Sequence, residues 1–141
     1  GTHLREDMEE RMSRIEALLT SIREKAVTVP EAQRKLLRQR LEDAGLPLPL
    51  DDERLVKEIA LFADRTDISE ELSRAASHVK QFRAYLASGE PVGRSLDFLM
   101  QEFFRELKTM GSKCNNAEIA HHVVTAKTEL EKIREQAQNV E

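Results

Sequence analysis

Residues 93–141 read GRSLDFLMQEFFRELKTMGSKCNNAEIAHHVVTAKTELEKIREQAQNVE, with carboxylates, amides and basic groups at helical spacing throughout. On a helix of 3.6 residues per turn, Leu96, Leu99, Met100, Phe103, Leu107 and Met110 fall in one stripe. Arg94, Phe98, Gln101, Glu102, Arg105 and Thr109 gather on the opposite side. One face can pack, and the other carries chemistry. After the break at Gly111 a second helix is expected from near Asn115 almost to Glu141. Its packing face is Ile119, Val123, Ala126, Leu130, Ile133, Ala137 and Val140, with Glu118 placed for a capping interaction. The two segments predict an antiparallel helical hairpin.

The same reading extends toward the N-terminus. Leu4, Met8, Ile15, Leu18, Leu19 and Ile22 recur at helical spacing, which predicts a long amphipathic first helix ending near Ala26. Pro30 suits a first helical turn, and Leu36, Leu37 and Leu41 continue a second helix that Gly45 can end in a left-handed conformation. In L-P-L-P-L (46–50) each proline disfavours helix for the residue before it, so an extended connector is expected, its leucines pinned to the core. A third, short helix starts at Asp51 or Asp52 and carries Leu55, Ile59 and Leu61 or Phe62. Asp67 with Glu70 has the form of a capping box for a fourth helix running to about Ser88, with core stripe Ile68, Leu72, Ala75, Val79, Phe82 and Leu86. No strand-like alternation interrupts this pattern. The expectation is one all-α domain over residues 1–141, an elongated helical bundle with long antiparallel helical hairpins. The apolar stripe on the first helix is long enough to suggest self-association, and the start so close to a helix reads as cut from a larger protein.

Composition narrows the function. The 141 residues hold 22 Lys and Arg against 26 Asp and Glu, a formal net charge of -4. A sequence-independent nucleic-acid coat, which draws its affinity from clustered cations, does not fit that balance, although a local groove does. The lone Cys114 forms no internal disulfide, and a cytoplasmic setting is expected. No apolar run approaches the roughly 20 residues of a membrane span, and no Walker loop, G-x-S-x-G elbow or H-E-x-x-H motif occurs.

L-D-F-L-M-Q-E-F-x-R-E, then S-K, then E-K-I-R-E-Q-x-Q-N-x-E at the chain end resemble the C-terminal domain of the YicC/YloC family. D-R-T-D-I-S-E-E-L-S-R-A-A-S-H (64–78) extends the likeness upstream. The resemblance implies an endoribonuclease that cuts single-stranded RNA with a divalent metal ion, Mn or Mg. It also implies an N-terminal domain absent from this chain, and a ring-like homo-oligomer. It assigns no roles to individual residues.

Those roles come from side-chain chemistry. Glu102 and Glu106 lie one turn apart, a spacing at which two carboxylates can share a divalent ion beside a phosphodiester while Arg105 neutralises developing charge. An intrahelical ion pair on a wet surface explains Glu102 and Arg105 equally well. Asp67, Glu71, Arg74, His78 and Gln81 form a second stripe. In it His78 is a candidate general acid or base and Glu71 a further metal ligand, set against a capping Asp67 and a hydrogen-bonded packing histidine. The catalytic candidates are thus Glu102, Glu106, His78 and Glu71, with Glu102, Glu106 and Glu71 as metal ligands. All four are expected to converge on one cleft near Arg105. Arg94, Gln101, Arg105, Lys113, Lys132, Arg134 and Gln138 suit RNA phosphates and base edges, and ordinary surface pairing suits them too. Phe98, alone in a polar stripe, calls for a cover: another helix, another subunit or a stacked base. The rival to catalysis is a helical oligomerisation or docking domain for RNA or protein.

Overall fold

A computed structural model describes residues 2–91 and 93–139. Six helices follow one another: α1 (Thr2–Ala26), α2 (Val29–Asp43), α3 (Glu53–Thr66), α4 (Ser69–Ala87), α5 (Gly93–Lys113) and α6 (Ala117–Gln138). Among the described residues there is no strand, as expected for an all-α chain.

Helices α1, α4, α5 and α6 close into a four-helix bundle in which each packs on two others, around the cycle α1–α6–α5–α4. Cross-links made by side chains fix the directions. Arg5 near the start of α1 donates to the Leu86 carbonyl near the end of α4, and Lys25 at the end of α1 meets Glu118 at the start of α6 at 3.2 Å. Lys113 at the end of α5 reaches Glu71 at the start of α4. Every neighbour in the cycle is therefore antiparallel, with α2 and α3 inserted between α1 and α4 at one end. At 1.5 Å per residue, the 25-residue α1 spans about 38 Å, so the bundle is elongated.

The core is the set of stripes read from the sequence. Met8, Ile15, Leu19 and Ile22 of α1, Leu72, Ala75, Val79 and Phe82 of α4, all six apolar positions of α5, and Ile119 to Ala137 of α6 are buried together. Met12, fully buried, completes the α1 stripe. That stripe is covered inside the chain by α4 and α6, so the ground for expecting self-association from α1 disappears. Val140 and Glu141 lie outside the described residues.

Local signals held in part. Asp52 caps α3 by accepting the Arg54 backbone N–H at 2.9 Å. Asp67 accepts the Ser69 N–H at 2.9 Å, and the Ser69 hydroxyl together with that N–H holds its carboxyl below the usual range, but the capping box is half made: Glu70 points to solvent beside Arg74. Asn116, rather than Glu118, caps α6, accepting from the Ile119 N–H at 2.9 Å. Gly111 is not the turn. It lies inside α5, where a Cβ would stand 3.4 Å from Val123 Cγ1 of α6, an ordinary packing distance. Asn115, at φ 44°, makes the turn, a left-handed position that asparagine tolerates better than most residues.

The α2–α3 excursion departs furthest from expectation. Gly45 ends α2 at φ 73° as anticipated, but Leu46 and Leu50 of the proline connector are exposed rather than pinned to the core. On α2 only Val29 is buried, and Leu36 faces outward. α3 anchors the excursion through Phe62, which joins the bundle core. Two leucine-proline pairs in an extended segment have no helical face to turn inward, so apolar composition alone was a poor guide there.

Candidate functional site

Antiparallel packing of α4 on α5 brings the two polar stripes face to face. Glu71 and Glu106 are 3% and 5% exposed, the two buried charged residues among those described. Carboxylates taken from water need partners, and here the partners are cations from the facing helix. Arg74 donates through Nε to Glu106 Oε2 at 2.8 Å and brings its outer nitrogens to 3.7 Å from Glu71 and 3.6 Å from Glu70. Lys113 Nζ lies 3.1 and 3.3 Å from the two Glu71 oxygens. A ladder of alternating charge runs along the seam from Lys113 through Glu71 and Arg74 to Glu106.

His78, one turn beyond Arg74, continues the ladder. Its ring centroid is 5.6 Å from that of buried Phe103, and Nε2 is covered with no hydrogen-bond partner. Burial lowers the His78 pKa below 6.5, against the opposing pull of Glu106 and Glu102 and with the help of Arg74. The imidazole is held neutral. A depressed histidine pKa has a stability signature: above about pH 6.5 neither state is protonated. As pH falls below that value the unfolded chain takes a proton that the folded one refuses, and stability drops until the folded pKa is passed. His78→Gln is expected to flatten that decline. Urea unfolding of both proteins at about pH 7.5 and about pH 5.5 checks this, and an equal pH dependence in the two would show that His78 is not held neutral.

Glu102 differs from the other two carboxylates. It is half-buried, and its nearest cation, Arg105, is exposed and 3.7 Å away. The four expected catalytic residues do share the α4–α5 seam, but Glu71 and Glu106 are closed into the ion-paired ladder and the four do not line one open cleft. An open depression of about 620 Å³ adjoins the Lys113 end of the ladder, between the end of α3 and the α5–α6 turn, lined by Arg65, Thr66, Ser112, Lys113 and Asn115 among others. Glu71 and Glu106 already hold Arg74 and Lys113 where a shared cation would sit. Among the described residues no group of three or more His, Cys, Asp and Glu side chains comes together as a metal site requires. The carboxylates as arranged do not fit the expected Mn or Mg ion.

The residues expected to contact RNA do not gather in one place. Arg94 and Gln138 line one cleft at the far end of the hairpin with Gly93, Asp97 and Ala137. Gln101 donates to Asp97 at 3.2 Å, and Arg134, paired with Glu131 at 2.8 Å, also feels the Asp97 charge. Arg105 stands midway, exposed, and Lys113 is committed to Glu71 at the other end. Lys132 is exposed on α6. Sequence reading placed Arg74 in its stripe without a role, although it joins both buried carboxylates. The clue was its position three residues after Glu71 on a helix facing another acidic stripe.

Residues 22–141 match the family model described as "Endoribonuclease YicC-like, C-terminal", which covers all of the bundle except most of α1. The chain belongs to the YicC-like endoribonuclease family. It is 38% identical over 142 residues to the probable endoribonuclease YicC of Clostridioides difficile (strain 630), and 41% identical over 141 residues to that of Haemophilus influenzae (strain ATCC 51907 / DSM 11121 / KW20 / Rd). Each match takes in all of this chain and 48% of the relative. The chain thus spans about half the length of these YicC relatives. No helix among the described residues is long and apolar enough to cross a membrane.

Proposed function

We propose that this chain is the helical C-terminal half of an endoribonuclease that cuts single-stranded RNA, and that the α4–α5 seam supplies groups for the cut. The observation that carries the reading is the juxtaposition of a half-open carboxylate, Glu102, with an unpaired neutral imidazole, His78, on a seam that also holds two buried, ion-paired carboxylates. Buried charge is costly for a helical bundle that only needs to fold, and apolar residues of similar volume would hold the same seam at least as well. Groups with perturbed protonation beside such a ladder are characteristic of functional sites.

In this reading Glu71, Arg74, Glu106 and Lys113 position, while Glu102, His78 and Arg105 act. A neutral imidazole can take a proton from an attacking hydroxyl, and the Arg105 guanidinium can stabilise charge gathering on phosphate oxygens. Because His78 Nε2 is covered, this use requires a side-chain movement at the seam when RNA binds. Arg94, Gln101, Arg134, Gln138 and Lys132 extend the RNA path toward the far end of the hairpin. An N-terminal domain and further copies of the chain complete the enzyme, in a cytoplasmic setting that suits the free, buried Cys114.

The complete protein, given equal amounts of a single-stranded RNA and its duplex with Mn or Mg, is expected to cut the single strand and spare the duplex. Equal cutting of both, or of neither, would overturn the reading.

A further inference from the structure

Five phenylalanines and one tyrosine occur in the chain. Phe62, Phe82 and Phe103 are buried, Phe104 and Tyr85 are packed partly against the core, and Phe98 alone stands 65% exposed. Its surroundings on α5 follow from helical spacing. Arg94 lies four residues before it, Gln101 three after and Arg105 seven after, all within a strip about 60° wide and roughly 16 Å long. Arg94 has no carboxylate within ion-pairing distance among the described residues, and Arg105 has only the loose contact with Glu102. Asp97, the other nearby carboxylate, accepts from Gln101 and faces Arg134, which tempers its repulsion of an anion.

We propose that Phe98 is a stacking platform for one unpaired base of the RNA, with Arg94 and Arg105 holding phosphates on either side of it. The inference rests on the RNA-cleavage reading and adds to it the source of single-strand selectivity. A duplex keeps its bases stacked on one another and offers no free face to the ring, whereas every unpaired base has a π-face that an aromatic side chain can cover. Protein surfaces fit the position less well. The core of a protein interface is depleted of charge and rich in neighbouring apolar groups, but Phe98 has Arg94, Ser95, Asp97, Gln101 and Glu102 around it and no second exposed apolar side chain on its strip. An isolated ring between guanidinium groups suits a flat, anionic, singly stranded partner. Glu102 lies one turn from Phe98 on the side toward α4, so a base held on the ring would bring its own backbone to the seam.

The test uses the complete protein and a fluorescent single-stranded 2′-O-methyl oligonucleotide, which lacks the free 2′-hydroxyl, with its duplex as control. Phe98→Ala is expected to weaken single-strand binding about tenfold or more, to leave duplex binding within about twofold, and to keep the salt dependence of the wild type. Phe98→Trp should bind as well as the wild type, and Phe98→Leu should remain weak, since leucine is apolar but cannot stack. Arg105→Ala should lower the salt dependence instead. Single-strand binding by Phe98→Ala within about twofold of wild type, or full binding by Phe98→Leu, overturns the proposal. So does a change of sedimentation coefficient in Phe98→Ala, which would assign the ring to a contact between copies. If the wild type binds and cuts single-stranded RNA while Phe98→Ala is unaffected, only the stacking role fails. If the wild type neither binds nor cuts it, the underlying reading fails with it.

Discussion

Phe103→Ala is expected to lower the unfolding free energy of this chain by about 3–5 kcal/mol, and Leu130→Ala by about 2–5 kcal/mol. Both side chains are fully buried on facing helices of the α5–α6 hairpin, so truncation loses apolar burial and also leaves a cavity that packed helices close only in part. Phe103 carries a second consequence. Its ring lies against the His78 imidazole, and removing it opens the wall that keeps that group neutral. The His78 pKa in Phe103→Ala should therefore move back toward 6.5. Denaturant unfolding checks the first effect and an NMR titration of the imidazole the second. A loss below about half a kcal/mol would place Phe103 outside the core.

The fold was legible wherever apolar residues recur at helical spacing over several turns, because such a stripe has only one way to be buried. Leu96 to Met110 and Ile119 to Ala137 are of this kind, and each is buried as its spacing required. Boundaries were less legible, because several residues compete to make a turn. Gly111 could have broken the hairpin, but α5 continues through it to Lys113, and Asn115 bends the chain instead. The first helix misled in a different way. Its stripe looked uncovered because sequence order gives no sign that α6, more than ninety residues later, returns alongside it.

The site was legible as a set of residues and not as a state. Helical phase placed Glu71, Arg74 and His78 on one side of α4 and Glu102 and Glu106 on one side of α5, and packing set those sides facing. Spacing could not say which carboxylates would be occupied. That depends on Arg74 and Lys113 reaching across the seam, an outcome fixed by the antiparallel register of the two helices.

Glu102→Gln is expected to slow RNA cleavage by the complete protein by about 10²–10⁴-fold while leaving RNA affinity close to wild type. The substitution keeps the shape of the side chain and removes its charge, and Glu102 has no buried partner whose loss would disturb the fold. Glu106→Gln acts differently. It takes the charge from Arg74's 2.8 Å partner at a position 5% exposed, so it should lower stability along with activity, whereas Glu102→Gln should unfold as the wild type does. The pair separates a group that acts on RNA from one that holds the seam. The decisive measurement is the single-turnover cleavage rate of Glu102→Gln at saturating single-stranded RNA and divalent ion, with binding and thermal unfolding recorded on the same preparation. The seam as the site of cutting predicts a rate at least about a hundredfold below wild type with binding and unfolding unchanged; a wild-type rate would contradict it and leave the bundle as a docking scaffold.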